Sequence, residues 1–144
     1  MDNKAVQKRH VLLRIVPLLC FLAIWVLTVL SFWCLNFGSD AMAYSLIFFY
    51  LVLPVSAFIT AFFIGRDEAF GHARWLTPLF YGILFLLAEY LTFSLANMIA
   101  FRFEHWNAPS WELLLFGLGL SLAGVFLGFI MRVLSQKRRK KKNS

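Results

Sequence analysis

Four long runs of apolar residues, separated by short polar segments, dominate the chain. The runs cover residues 11–35, 42–64, 76–101 and 111–134. Each is longer than the roughly 20 residues that a helix needs to cross a hydrocarbon core about 30 Å thick. The pattern predicts an all-α, polytopic integral membrane protein whose four-transmembrane-helix bundle forms a single membrane domain over residues 1–144.

The polar segments between the runs carry signals for helix ends. Gly38 lies in the short connection 36–41 and is suited to ending the first helix in a left-handed conformation. Thr77 and Pro78 read as a cap followed by proline in the first turn of the third helix. Ser110 is a candidate N-cap for the fourth helix, and Glu112 in its first turn suits the helix dipole.

The basic residues are distributed very unevenly across the predicted membrane. With four spans, thirteen of the fourteen lysines and arginines fall on one side, and only Arg102 falls on the other. Cytoplasmic loops carry such an excess of positive charge. We therefore expect both termini in the cytoplasm, and a multi-pass protein of the plasma membrane. The thirteen are Lys4, Lys8, Arg9, Arg14, Arg66, Arg74, Arg132, Lys137, Arg138, Arg139, Lys140, Lys141 and Lys142.

The formal net charge of +7 resides largely in a polybasic tail, residues 135–144. A basic cluster beside a membrane span attracts anionic lipid headgroups, each charge contributing about 1 kcal/mol near the surface. The sequence therefore predicts a lipid surface, and no nucleic acid, as the anionic partner. The candidate lipid-binding residues are Lys137, Arg138, Arg139, Lys140, Lys141 and Lys142.

Glu89 stands almost at the midpoint of the third apolar run. A carboxyl at that depth is costly, which makes it a candidate functional residue. On a helix it shares a face with the small residues Gly82 and Ala96, so we expect it to point into the bundle. No lysine, arginine or histidine lies at a similar depth in any run, and we expect Glu89 to be neutral.

Pro54, near the middle of the second run, suggests a partner for this carboxyl. A proline inside a helix removes one backbone donor and displaces the carbonyl four residues earlier, that of Tyr50. We expect a kink there, and a hydrogen bond from protonated Glu89 to the Tyr50 carbonyl, with Asn97 nearby on the third span. Three roles for Glu89 remain open: a neutral structural hydrogen bond, pairing with a basic residue of a partner subunit, and proton or cation handling.

A stripe of small residues runs along one face of the fourth helix. Its members are Gly117, Ser121, Gly124 and Gly128. Small residues spaced by three and four let two helices approach closely in a membrane. The stripe is a helix-packing surface, either inside this chain's own bundle or against another subunit.

Residue patterns for catalysis, cofactors or metals are missing from the sequence. It has no phosphate-binding loop, dinucleotide fingerprint or nucleophile elbow. Glu104, His105 and Glu112 have no metal-site spacing, so we predict no metal, cofactor or catalytic residue. Cys20 and Cys34 stand about 21 Å apart on one helix, too far for a disulfide.

The loop 65–75 is the most polar internal segment. Its charged residues form either a solvated loop that enforces topology or a docking surface for a cytoplasmic partner. In layout the chain resembles the small multidrug resistance transporters, which have four short helices and one membrane-embedded glutamate. That family carries its glutamate in the first helix, whereas the first span here has no acid, so no residue roles transfer.

The sequence thus favours a small accessory or scaffold subunit that acts through helix–helix contacts, as a homo-oligomer or within a larger membrane complex. The alternative is a small oligomeric proton-coupled transporter with Glu89 as its proton site. An enzyme is not expected.

Overall fold

The computed structural model describes residues 3–34, 41–102 and 108–142, with the side chains of 3–14, 41, 42, 69, 140 and 142 left out. The described chain is all-helical, and four of its helices are long and apolar enough to cross a membrane. The predicted all-α class and the four spans are thereby confirmed. Four such helices indicate a multi-pass membrane protein.

The four spans are built from six α-helices and two π-helical segments. Span 1 is α1 (Asn3–Cys34). Span 2 joins α2 (Ala41–Tyr44), a π-helical segment (Ser45–Val52) and α3 (Leu53–Arg66). Span 3 joins α4 (Thr77–Glu89), a second π-helical segment (Tyr90–Ser94) and α5 (Leu95–Ala100). Span 4 is α6 (Trp111–Lys142).

Most predicted helix boundaries agree with the structure to within a few residues, with two larger differences. Span 1 begins at Asn3, eight residues before its predicted start. Span 4 continues as a helix to Lys142, so most of the segment predicted as a separate tail extends this helix. At the start of span 3, Leu76 is the N-cap and Thr77 is the first helical residue. Gly38 lies outside the described residues.

Pro54 lies where span 2 changes from π-helical to α-helical hydrogen bonding. The backbone N–H of Leu53, just before the proline, bonds to the carbonyl of Phe48, five residues earlier. Pro54 falls in the first turn of α3, which continues directly from the π-helical segment, so its missing N–H leaves one carbonyl of that segment without a helical hydrogen bond. The change of helix type is how the chain accommodates a proline in the middle of a span.

Spans 2 and 4 meet closely through the small-residue stripe. A Cβ added at Gly124 would lie 2.8 Å from the carbonyl oxygen of Phe58. A Cβ at Gly128 would collide with the Phe62 carbonyl, and one at Gly65 of span 2 would collide with the backbone of span 4. Only glycine allows the two backbones to approach this closely.

The first half of the stripe faces span 3. The ring of Phe85 rests on Gly117, where an added Cβ would lie 2.7 Å from the ring. Ser121 is fully buried and donates a hydrogen bond to the Gly117 carbonyl at 2.6 Å. All four stripe residues are thus occupied inside the chain's own bundle, which leaves this face unavailable to another subunit.

Span 1 packs more loosely on the outside of the unit formed by spans 2, 3 and 4. Aromatic side chains attach it. The indole of Trp25 donates to the Leu84 carbonyl in span 3 at 2.7 Å, and the Tyr44 hydroxyl of span 2 donates to the Thr28 carbonyl at 2.6 Å. These bonds fix span 1 in register with its neighbours.

The connection between spans 2 and 3 is folded onto the bundle at the end that carries Arg66, Arg74 and Arg132, hereafter the basic end. It is a 3₁₀ helix, Glu68–Trp75, interrupted at Gly71, whose φ of 48° and ψ of −127° suit glycine alone. Arg74 is buried, donates to the Gly71 carbonyl at 2.5 Å and stacks over a span 4 ring. Glu68 pairs with Arg132 of span 4 at 3.0 Å. The segment thus contacts span 4 through Arg74 and Glu68, while Arg66, Glu68 and His72 remain exposed.

Candidate functional site

A cleft of about 440 Å³ lies between spans 2 and 4 at the end opposite the basic end. Span 4 packs closely along Leu53–Arg66 but has no comparable packing against Ser45–Val52, so the two spans diverge there. Span 3 completes the lining of the cleft between them. Its lining consists of Ser45, Phe49, Tyr50, Glu89, Phe93, Ser110, Glu112, Leu113 and Phe116.

Glu89 lines this cleft, and its two carboxyl oxygens differ in their hydrogen bonding. Oε1 accepts a hydrogen bond from the hydroxyl of Ser94 at 2.8 Å. Oε2 is buried and has no hydrogen-bond partner in the part of the chain that the structure describes. A buried carboxyl oxygen without a partner costs stability, so it favours any proton, donor or cation that enters the cleft.

The π-helical segment brings Ser94 to the carboxyl. Ser94 follows Glu89 by five residues, and it is buried at 2% exposure. In a regular α-helix, the residue that stacks on a given side chain is three or four positions away, which would place Phe93 there. The wider π turn shifts this neighbour by one position. Such bulges frequently occur at functional sites.

Glu89 lies at the centre of its span. Span 3 runs from Thr77 to Ala100, and its midpoint falls between Ala88 and Glu89. Glu89 is therefore in the middle of an apolar helix, and it lines the cleft that lies away from the basic end.

The other predicted intramembrane residues take different positions. The Tyr50 side chain lines the cleft and is 66% exposed. Pro54 is buried in span 2, and Asn97 is exposed and does not line the cleft. The hypothesis that Glu89 bonds to the Tyr50 carbonyl is wrong, because the carboxyl's hydrogen bond within the described structure is to Ser94.

Sequence reasoning missed the residues that accompany Glu89. A regular α-helix would not place Ser94 beside Glu89, so residue spacing alone does not predict their hydrogen bond. Glu112 was considered for its helix dipole and as a weak metal ligand, whereas it lines the same cleft as Glu89. The available signal was positional, because the end of span 3 and the start of span 4 lie on the same side of the membrane.

The described residues contain no group of three or more histidine, cysteine or acidic side chains placed to hold a metal ion. Glu104 and His105, which were weighed as ligands with Glu112, lie outside the described residues. The two described cysteines, Cys20 and Cys34, are both free and exposed.

The cleft combines acidic groups with aromatic walls. Glu89, Glu112 in the first turn of span 4, and the rings of Phe49, Phe93 and Phe116 all line it. Carboxylates in surroundings of low dielectric attract cations strongly, and aromatic faces add to this attraction. The arrangement suits a proton or a cationic group and disfavours an anion.

The predicted lipid-binding residues lie at the other end of the molecule, on the helical extension of span 4. Lys137, Arg138, Arg139 and Lys141 are exposed. The side chains of Lys140 and Lys142 lie outside the described part of the structure.

The chain has also been compared with known proteins. No protein-family model, no curated protein and no solved structure matches it.

Proposed function

We propose that the protein is a small oligomeric proton-coupled transporter and that Glu89 is its proton site. The observation that carries the proposal is that the cleft is lined by Glu89, whose buried Oε2 has no hydrogen-bond partner among the described residues. A proton and a cationic substrate compete for this one carboxyl. Binding of either releases the other, which couples their movements.

The proposal ranks above the accessory or scaffold function because of where the small-residue stripe lies. That stripe was the best candidate surface for contact with another subunit, and Gly124, Gly128 and their neighbours are occupied inside the chain. The outward faces of the spans carry large apolar side chains such as Leu27, Phe63 and Leu115. Such faces suit lipid tails as well as they suit a partner helix.

The two ends of the bundle differ in a way that fits one-sided access. Towards the basic end, spans 2 and 4 are in backbone contact at Gly65 and Gly128, and Arg74 covers the junction. Towards the opposite end, the same spans diverge around the cleft. Transport requires the basic end to open in turn. A four-helix chain leaves the cleft open sideways, and a second copy would complete its wall.

The proposed setting is the plasma membrane with both termini in the cytoplasm. It is supported by the positive-charge bias between the two ends of the bundle. In this orientation the basic end faces anionic headgroups of the cytoplasmic leaflet, and the cleft opens towards the outside.

The first experiment tests whether Glu89 exchanges a proton. Infrared difference spectra of the purified protein in lipid, recorded before and after a cation probe is added, detect the C=O stretch of a protonated carboxyl. We expect a band in the wild type that is absent from Glu89→Gln. The matched control is Glu112→Gln, a carboxyl of the same cleft, which should keep the band. Addition of tetraphenylphosphonium, a lipophilic cation probe, should deprotonate Glu89 and remove the band.

Glu89→Gln retains the acceptor for Ser94, so this variant is expected to fold. Identical spectra for the variant and the wild type would refute a proton site at Glu89. A probe that leaves the band unchanged and shows no uptake into vesicles driven by a pH gradient would refute the coupling.

The accessory function remains the second candidate because the cleft is open sideways between spans 2 and 4. A partner helix bearing a basic side chain would satisfy Glu89 Oε2 from that direction. Purification in mild detergent with mass spectrometry distinguishes the two functions. A stable heteromeric partner that is lost in Glu89→Gln supports the accessory function, whereas a homo-oligomer without other subunits supports transport.

A further inference from the structure

A second pocket lies at the basic end, away from the Glu89 cleft. It is small, about 170 Å³, and forms where the end of span 2, the following 3₁₀ helix and span 4 meet. Its lining is almost entirely polar side chains: Arg66, Glu68, Arg132, Ser135, Gln136 and Arg139.

The side chains that line this pocket carry a net positive charge. Three guanidinium groups line the pocket with one carboxylate, that of Glu68, whose described hydrogen bonds all go to Oε1. Arg132 binds Glu68 Oε1 through both Nε and Nη2 at 3.0 Å, and Gln136 donates to the same oxygen. Arg66 and Arg139 are exposed and have no hydrogen bond or ion pair to any residue that the structure describes. Two guanidinium charges thus remain uncompensated.

Arg132 has an unused donor at this pocket. Its Nη1 is buried without a hydrogen-bond partner in the described part of the chain, while its other nitrogens are held by Glu68. A buried guanidinium nitrogen without an acceptor costs stability. An oxyanion in the pocket would supply the missing acceptor, and the neighbouring Ser135 hydroxyl is a further donor.

The pocket lies at the depth of phospholipid headgroups. Gly117 packs on Phe85, which lies about 5 Å from the centre of span 3 towards the basic end. Span 4 rises about 22 Å from there to Arg132, whereas half the hydrocarbon core is about 15 Å thick. The guanidinium groups therefore lie beyond the acyl chains.

From these observations we propose that the pocket is a discrete binding site for a phosphate group, supplied by an anionic phospholipid headgroup. Arginine recognises phosphate oxygens through directed, charge-assisted hydrogen bonds. Arg66 of span 2 and Arg139 of span 4 contact the phosphate, and Arg132 and Ser135 are further donors that line the same pocket. The bound lipid joins span 2 to span 4 at the basic end. This differs from the diffuse attraction expected of the polybasic tail, because it needs Arg66 and Arg132, which lie outside the basic run 137–142, to be held in fixed positions beside Arg139 of that run.

The experiment compares two double variants that remove the same charge. Arg66→Gln with Arg139→Gln empties the pocket of its free guanidinium groups, whereas Arg138→Gln with Lys141→Gln removes two exposed cations that do not line it. All four positions are exposed, so both proteins should fold. Native mass spectrometry from detergent containing phosphatidylglycerol or phosphatidylcholine measures how much lipid each protein retains.

We expect the wild type to retain phosphatidylglycerol in preference to phosphatidylcholine, whose choline cation is repelled by the arginines. The pocket variant should lose about tenfold or more in retention, since each lost bond is charge-assisted. The control should lose about twofold at most, as exposed ion pairs do. Equal losses in the two variants would overturn the proposal, because they would show that the attraction is diffuse.

A third arm adds inorganic phosphate at millimolar concentration. Lipid retention that persists identifies the headgroup as the ligand. Displacement of the lipid by free phosphate at that concentration would overturn the assignment to a lipid.

Discussion

Replacement of Gly124 by alanine adds one methyl group at the contact between spans 2 and 4. The new carbon would lie 2.8 Å from the Phe58 carbonyl oxygen and 3.1 Å from Ala61 Cβ. Favourable carbon contacts lie about 3.5–4.0 Å apart, so the spans must separate by roughly 0.5 Å. Neither blocking atom can rotate away. Overpacking of this kind costs about 1–3 kcal/mol, and we expect the free energy of unfolding to fall by this amount.

Titration of the detergent-solubilised protein with sodium dodecyl sulfate, followed by tryptophan fluorescence, measures this free energy. Gly119→Ala is the matched control, because Gly119 is on the same helix and an added Cβ there meets nothing within 4 Å. It should change stability by no more than about 1 kcal/mol, in the stabilising direction. If Gly119→Ala is as destabilising as Gly124→Ala, the close approach of spans 2 and 4 is refuted.

Three further substitutions are expected to destabilise the protein in the same titration. Trp25→Phe removes the donor to the Leu84 carbonyl and should cost about 0.5–1.5 kcal/mol. Gly71→Ala forces an L-residue into a φ of 48° and should cost about 1–3 kcal/mol through the backbone alone, since an added Cβ meets nothing within 4 Å. Ser94→Ala removes the described hydrogen bond to Oε1 of Glu89, whose Oε2 already has none, and should cost about 1–3 kcal/mol. If the unfolding transition of a variant matches that of the wild type, the structural feature that the substitution tests is refuted.

The hydrophobic pattern predicted the four spans well because the signal is local and additive. A run of more than 20 apolar residues needs no knowledge of its neighbours to favour a membrane-spanning helix. Pro78 is also a local signal, because it falls in the first turn of α4, where proline suits a helix start. The observed helix ends differ from the predicted ones where polar residues continue a helix. Span 4, for example, extends through its basic residues to Lys142.

Glu89 shows how far the sequence reaches at the candidate site. Its position near the centre of span 3 follows from counting residues along an apolar run. Its hydrogen-bond partner does not, because Ser94 reaches it only through a π-helical segment whose wider turns change which side chains are neighbours. Neither the π segment nor the divergence of spans 2 and 4 leaves a mark in residue type or spacing.

The sequence by itself determined the number of spans, the depth of Glu89, the uneven charge of the two ends and the existence of a close-packing face on span 4. Each depends on what one segment contains. Only the tertiary structure decided that this face packs inside the chain, that Glu89 and Glu112 share a cleft, and that Arg66 and Arg132 share a pocket. These depend on the relative register of different helices, which is set by the sum of many weak contacts across the bundle.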